Sequence, residues 1–347
     1  MFDVDKETIS FVLRDYNIQS GILNISELQR YHYEKDNPDT KEVRLIVKVE
    51  LSNGTSVVIR FKNEEDVTPE LIESQCQFAE TLKANGIPTP HQYKTNRTYA
   101  NWYHIHGYDV IVTVEEFVEN EVKIVDELTA YKTGKLLAET HNISEKNNLH
   151  IDNEVLFNPF KSNDLFDYEG FLEIENGIGE MNKSLFLQIA EKYNEYMETL
   201  STLKQSLYYA VQGDISDCNL YHASDSAIGI FDYNRAGDNI LYCDAVMQAV
   251  FESKLMDYPA DKDEAYGEKI LTAFWKGYHS VRSFTEDERF CYPYLYCIFD
   301  AFWSSDIRWN EDSLLNAYSH HDENRIHYWL TVIMNRLSSV PTRKWTE

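Results

Sequence analysis

Two runs rich in β-branched residues, EVRLIVKVEL (residues 42–51) and TSVVIRFK (residues 55–62), meet at Ser52-Asn53-Gly54. Valine and isoleucine suit a pleated strand, and an Asn-Gly pair accepts the positive φ that a tight reversal demands, so this stretch predicts an antiparallel hairpin. The hairpin constrains everything after it, because sheet this apolar has to be covered. Residues 69–85 supply a cover: Leu71, Ile72, Phe78, Ala79 and Leu82 recur near helical spacing after a Thr68-Pro69 start and before a Gly86 stop. A further strand, YDVIVTVEEFV, runs into the polar stretch Glu119-Asn120-Glu121, where the period of the sequence changes. From Asp126 onward the pattern is helical, except for a β-like insert at residues 208–233. The expectation is an α+β chain with a β-rich N-terminal lobe at residues 1–118 and a larger helical lobe at residues 119–347.

Charge narrows the partners. The 347 residues carry 58 acidic and 32 basic side chains, a formal net charge of −26 that repels nucleic-acid backbones and anionic lipid. A cationic small molecule would be drawn to such a surface, although acidity also serves solubility. The five cysteines, Cys76, Cys218, Cys243, Cys291 and Cys297, form no CxxC pair, so neither zinc nor a redox dithiol is indicated. The opening MFDVDKETIS has no apolar signal core, and no run approaches the roughly 18–20 apolar residues of a membrane span, which predicts a cytoplasmic protein. His320 and His321 are adjacent and would not share a helix face, so they read as surface histidines.

The chemistry concentrates in VQGDISDCNLYHASDSAIGIFDYNRAGD. Asp214 and Asn219 are five residues apart, and Asp232 follows thirteen later at the end of the apolar strand 227–231. A turn followed by a hairpin would gather one amide and two carboxylates. Phosphoryl transfer uses such a set: a carboxylate to take the proton of the attacking hydroxyl, and oxygen ligands to hold Mg²⁺ against phosphates. Gly213 relieves crowding at the turn, while Ile228, Ile230 and Phe231 tie the hairpin to a core.

GDxxxxN, an apolar strand, an FDY-type Asp and AGD together resemble the aminoglycoside phosphotransferase and choline or homoserine kinase superfamily, whose fold is similar to that of protein kinases. The resemblance covers about residues 20–285. It implies Asp214 as catalytic base, Asn219 and Asp232 as magnesium ligands, and Gly237, Asp238 and Asp244 as a structural segment behind them. It further implies that Arg60 or Lys62, on one strand face by the period-two rule, contacts the phosphates of ATP, and that Glu73 on the next helix pairs with that cation. Backbone groups from Glu116 through Phe117 to Val118 would meet the adenine edge. Leu137, Ala138 and His141 in KLLAETH resemble a helix behind the catalytic loop, and the late helices, with Tyr294, Asp300 and Trp303, are expected near the acceptor.

The reaction implied is transfer of the γ-phosphoryl group of ATP, with Mg²⁺, to a hydroxyl of a small molecule such as an aminoglycoside or amino alcohol. Three departures bear on it. Gln212 and Ser216 stand where the family commonly has histidines, Asp217 adds an acid, and LQRYHYEKDNPDTKEVR holds no glycine-rich phosphate loop. The alternative is a nucleotide-binding pseudokinase or regulatory protein without turnover.

Overall fold

The computed structural model describes residues 1–340 apart from 38, 154, 156–159, 164, 216, 225 and 255–265. In chain order the elements are α1 (Lys6–Asp15), β1 (Ile22–Tyr31), α2 (Tyr33–Asp36), β2 (Val43–Leu51), β3 (Ser56–Asn63), α3 (Pro69–Ala84), β4 (Asn101–Ile105) and β5 (Tyr108–Glu116). Then come α4 (Glu127–Asn147), α5 (Tyr168–Leu172), α6 (Glu180–Thr199), β6 (Tyr209–Val211), β7 (Leu220–Ser224), β8 (Ala227–Ile230) and β9 (Gly237–Asn239). Helices α7 (Leu241–Lys254), α8 (Tyr266–His279), α9 (Glu286–Ala301), α10 (Leu314–Ser319) and α11 (Glu323–Leu337) complete the chain.

The chain folds into two compact units. The first comprises residues 1–122, 151–153 and 218–234; the second comprises 123–150, 154–217 and 235–347. Residues 218–234, which the sequence reading assigns to the C-terminal lobe, thus pack mainly within the first unit.

In the first unit the predicted hairpin forms, with Gly54 at φ 85°. It lies inside a five-stranded antiparallel sheet of order β1-β2-β3-β5-β4. Alternation sorts the two faces. Leu45, Val47, Val49, Val57, Ile59, Phe61, Val110, Val112 and Val114 join Ile9, Val12 and Leu13 of α1, and Tyr16 just beyond it, in one buried core. Each such side chain contributes about 1.5–3 kcal/mol when fully buried. The intervening residues point the other way, where Ile72 and Cys76 of α3 pack on Ile111, Tyr99 and Ala100. That second face also carries Arg60, Lys62, Thr113 and Glu115, so the strand period that builds the core also builds a polar wall. α3 begins as expected, with the Thr68 hydroxyl accepting the Leu71 N–H. β1, β4 and α1 are elements that the sequence patterns did not single out.

The second unit is helical, with the two-stranded pair β6–β9 as its sheet among the described residues. α4 and α8 touch backbone to backbone at glycines. A Cβ on Gly277 would lie 1.9 Å from the Tyr131 carbonyl oxygen, and one on Gly134 would lie 2.1 Å from that of Phe274. His141 of α4 joins α8 and α7 through Tyr278 and Asp244, each at 3.0 Å. A carboxylate only accepts, so Nε2 carries the proton toward Asp244 and Nδ1 accepts from the Tyr278 hydroxyl. Burial lowers the His141 pKa below 6.5 against the opposing pull of Asp244, in keeping with a neutral ring.

Candidate active site

The first unit holds a small, partly open cavity of about 30 Å³, room for a water. Arg60, Lys62, Gln75, Glu115, Asp232 and Asn234 are among its lining residues. Register explains the wall: Arg60 stands opposite Thr113 and Lys62 opposite Ile111, so Glu115, two residues beyond Thr113, is the diagonal neighbour of Arg60 on the same face.

Arg60 meets two carboxylates. Its Nε and Nη2 lie 2.9 and 2.8 Å from Glu115 Oε1, and its Nη1 lies 3.3 Å from Asp232 Oδ2. Burial disfavours the guanidinium charge, but Asp232 and then Glu115 more than offset this and its pKa is raised. Glu115 also accepts from Gln92 Nε2 at 2.9 Å. Glu73 is not the acid that pairs with Arg60. Its Oε2 accepts the N–H groups of Tyr99 and Ala100 at 2.6 and 3.1 Å, because its place on α3 faces that loop. Glu115 on β5 takes the pairing role.

Lys62 is 6% exposed, and the partner of its Nζ is Asn234 Oδ1. Burial, then the nearby Arg60 charge, lower its pKa to about 8. The two cations therefore differ: Arg60 is matched by carboxylates, whereas Lys62 rests on an amide.

Asp232 sits in the left-handed region at φ 58°, which a short acid tolerates with a local hydrogen bond; here Asn234 N donates to Oδ1 at 3.2 Å. Burial would raise the pKa of Asp232, yet Arg60 and then Lys62 hold it below the ordinary value. The turn is fastened further by Gln75 Nε2 donating to the Asn234 carbonyl at 3.0 Å and by the Tyr233 hydroxyl donating to Thr89 Oγ1 at 3.0 Å. Asn219 stands at the start of the β7–β8 hairpin that runs into Asp232. Leu220 pairs with Ile230, and one step further Phe231 N donates to Asn219 O at 3.0 Å. Asn219 and Asp232 thus offer an amide and a carboxylate from the two ends of one hairpin. These are hard oxygen donors of the kind Mg²⁺ takes while keeping waters and phosphates as its other ligands.

Asp214 belongs to the second unit. Its N–H donates to Oε1 of the buried Gln212 at 2.8 Å. Gly213 takes φ 80° beside the Arg235 carbonyl, which a Cβ would approach to 2.5 Å. Gln212 thus supplies one bond of the loop that carries Asp214; Ser216 lies outside the described residues. At the end of β5, Glu116 N donates to His91 O at 2.8 Å and Phe117 N to Ser56 O at 3.0 Å. Asp300 is 8% exposed and ion-paired with Lys254 at 2.7 Å, Lys254 also lies over Trp303, and Tyr294 packs edge-on against Tyr196.

Glu115, Gln75, Gln92 and Asn234 escaped the sequence reading. The period-two rule that joined Arg60 to Lys62 could have flagged Glu115 only with the β3–β5 register in hand.

No protein-family model and no curated protein sequence matches this chain. Solved structures do. The chain is similar to the amicoumacin kinase hAmiN, solved with AMP-PNP, Ca²⁺ and Ami (TM-score 0.59, 13% identity, 96% of this chain and 94% of that one). It is also similar to a microcompartment-associated aminopropanol kinase (TM-score 0.58, 13% identity, 96% of each). Spectinomycin phosphotransferase APH(9)-Ia, with ADP and spectinomycin, aligns at TM-score 0.50 and 14% identity over 96% of this chain and 99% of that one. At such identities the likeness speaks to fold, and the chain has the two-lobed, protein-kinase-like fold shared by aminoglycoside phosphotransferases and other small-molecule kinases.

Proposed function

We propose that this protein is an ATP-dependent phosphotransferase that moves the γ-phosphoryl group to a hydroxyl of a small molecule. The observation that carries the reading is the meeting of Asp232, Arg60 and Lys62 around one cavity of the first unit, with Asn219 bonded through its backbone to the residue before Asp232, on a fold whose solved examples include complexes with AMP-PNP and ADP. Asp232 and Asn219 would hold Mg²⁺, which when bound supplies charge neutralisation at the phosphates. Lys62 is the cation best placed in charge to meet a phosphate, since among the described residues no carboxylate pairs with it. At the end of β5, with the Glu116 and Phe117 N–H groups engaged, base contacts fall to the carbonyls and to Val118. Asp214 is the proposed base, orienting the acceptor hydroxyl and taking its proton. Positioning and electrostatics of this kind are most of what phosphoryl transfer asks of a protein.

The Gln212 bond to Asp214 N supports turnover over the pseudokinase alternative, because the loop keeps a scaffold although its histidine is replaced. The net charge of −26 favours an amine-bearing acceptor, in line with the aminopropanol and spectinomycin named for the similar structures.

Calorimetric titration of ATP with and without Mg²⁺, repeated on Asp232→Ala, tests the reading. Binding that needs Mg²⁺ and disappears in the variant is the expected result. Absence of ATP binding by the unaltered protein would sink it.

A further inference from the structure

The guanidinium of Arg60 is held from both sides. Glu115 takes Nε and Nη2 and is itself tied to Gln92, which fixes the plane from the β5 side. Nη1 is left to reach Asp232 Oδ2. On the Asp232 side, Oδ1 is engaged by the Asn234 N–H, while Lys62 and Gln75 pin Asn234. The acid proposed as a metal ligand therefore already faces a fixed cation.

We infer that Arg60 is the built-in counter-ion and positioning residue of Asp232: in the metal-free protein it keeps this carboxylate aimed, and it has to release Oδ2 before a divalent cation takes full hold. The inference rests on the metal role proposed for Asp232. A lone divalent cation is opposed twice, by competition with the guanidinium for an oxygen and by repulsion from its charge. A nucleotide changes the balance, because its phosphates offer Arg60 another anion. Metal and nucleotide should then bind cooperatively, and by linkage each raises the affinity of the other by the same factor. Were Arg60 only a phosphate ligand, its removal would weaken nucleotide binding and leave nucleotide-free metal binding unchanged.

The test is titration of Mn²⁺, read by electron paramagnetic resonance, into the full chain without nucleotide. Circular dichroism checks the fold of each variant. Arg60→Gln should raise Mn²⁺ affinity by about tenfold or more, because it removes both a positive charge a few ångströms away and the competitor for Oδ2. Arg60→Lys should stay within about twofold, since it keeps the charge. Glu115→Gln should shift the other way, lowering affinity several-fold, because it leaves Arg60 wholly to Asp232. AMP-PNP should raise Mn²⁺ affinity more in the unaltered protein than in Arg60→Gln. Mn²⁺ affinity in Arg60→Gln equal to or below that of the unaltered protein, undetectable binding in both included, overturns the inference. If Arg60→Gln does not fold, Glu115→Gln decides alone, and unchanged or higher affinity there overturns it. A gain in Arg60→Gln that persists when Asp232→Asn is added would place the metal elsewhere, removing the metal role of Asp232 and the inference with it.

Discussion

Each unit buries a knot of charged and polar side chains, and the two knots are built differently. In the second unit His141, Asp244 and Tyr278 join three helices with His141 at 1% and Asp244 at 2% exposure, and every member has a partner within the knot. In the first unit Arg60, Lys62, Glu115 and Asp232 border a cavity, Lys62 rests on an amide, and the Asp232 side chain remains 27% exposed. A closed knot fixes helices. An open one, with a cation short of a carboxylate and an acid in a left-handed turn, has capacity left for a ligand. The two families of variants should therefore separate: those in the closed knot act on stability, and those around the open one act on binding and rate.

The largest effect expected lies at the proposed base. Asp214→Asn should lower phosphotransfer to a hydroxyl acceptor by about 10²–10⁴-fold, the usual worth of a general base. ATP affinity should stay unchanged, because Asp214 belongs to neither the Arg60 nor the Lys62 group. Steady-state rates alongside calorimetry check this, and loss of ATP binding with rate would collapse the distinction.

Next in size is His141→Ala. It leaves Asp244 buried without its hydrogen-bond donor, at a cost of about 3 kcal/mol in urea unfolding. Activity of the folded fraction should remain. The same histidine sets an acid limit. Its folded pKa lies below 6.5, so below that pH the unfolded chain binds the proton first and stability falls on acidification. Urea midpoints taken from pH 7 down to pH 5 should show the fall, and His141→Gln should flatten it.

Gly277→Ala sharpens the structural half of the comparison. The added methyl meets the Tyr131 carbonyl, so α4 and α8 have to separate, at about 1–3 kcal/mol, with no direct effect on nucleotide affinity.

The smallest effect concerns Lys62, whose pKa of about 8 makes it titrate near neutrality. Nucleotide affinity should fall a few-fold between pH 7 and pH 9 as the amine loses its proton. Stability should move oppositely. The unfolded chain keeps this proton up to about 10.5, so it binds more protons than the native state between 8 and 10.5, and unfolding free energy rises with pH there. Lys62→Arg should abolish both trends; parallel movement of affinity and stability would assign the titration to another group.

Much of this was written locally. The 42–62 hairpin, the Thr68-capped helix and the change of period near residue 120 each follow from a few neighbouring residues, and all are present in the structure. The short-range spacing of Asn219 and Asp232 likewise anticipated one hairpin, because antiparallel pairing of adjacent strands is a local event. Alternation along β3 was enough to put Arg60 and Lys62 on one face. It was silent on what they would meet.

That was decided at long range. The carboxylate for Arg60 comes from β5, 55 residues on, and its second partner from a turn 172 residues on. The register of β3 on β5 made Glu115 the diagonal neighbour, and the orientation of α3 sent Glu73 to the 99–100 amides instead. The sequence by itself determined the 42–62 hairpin, the capped α3 and the strand face that Arg60 shares with Lys62, since propensity, capping and period act within a dozen residues. Only the tertiary structure decided which cation each acid faces, because charge pairing depends on the ångström-scale distance between strands that the chain order keeps far apart.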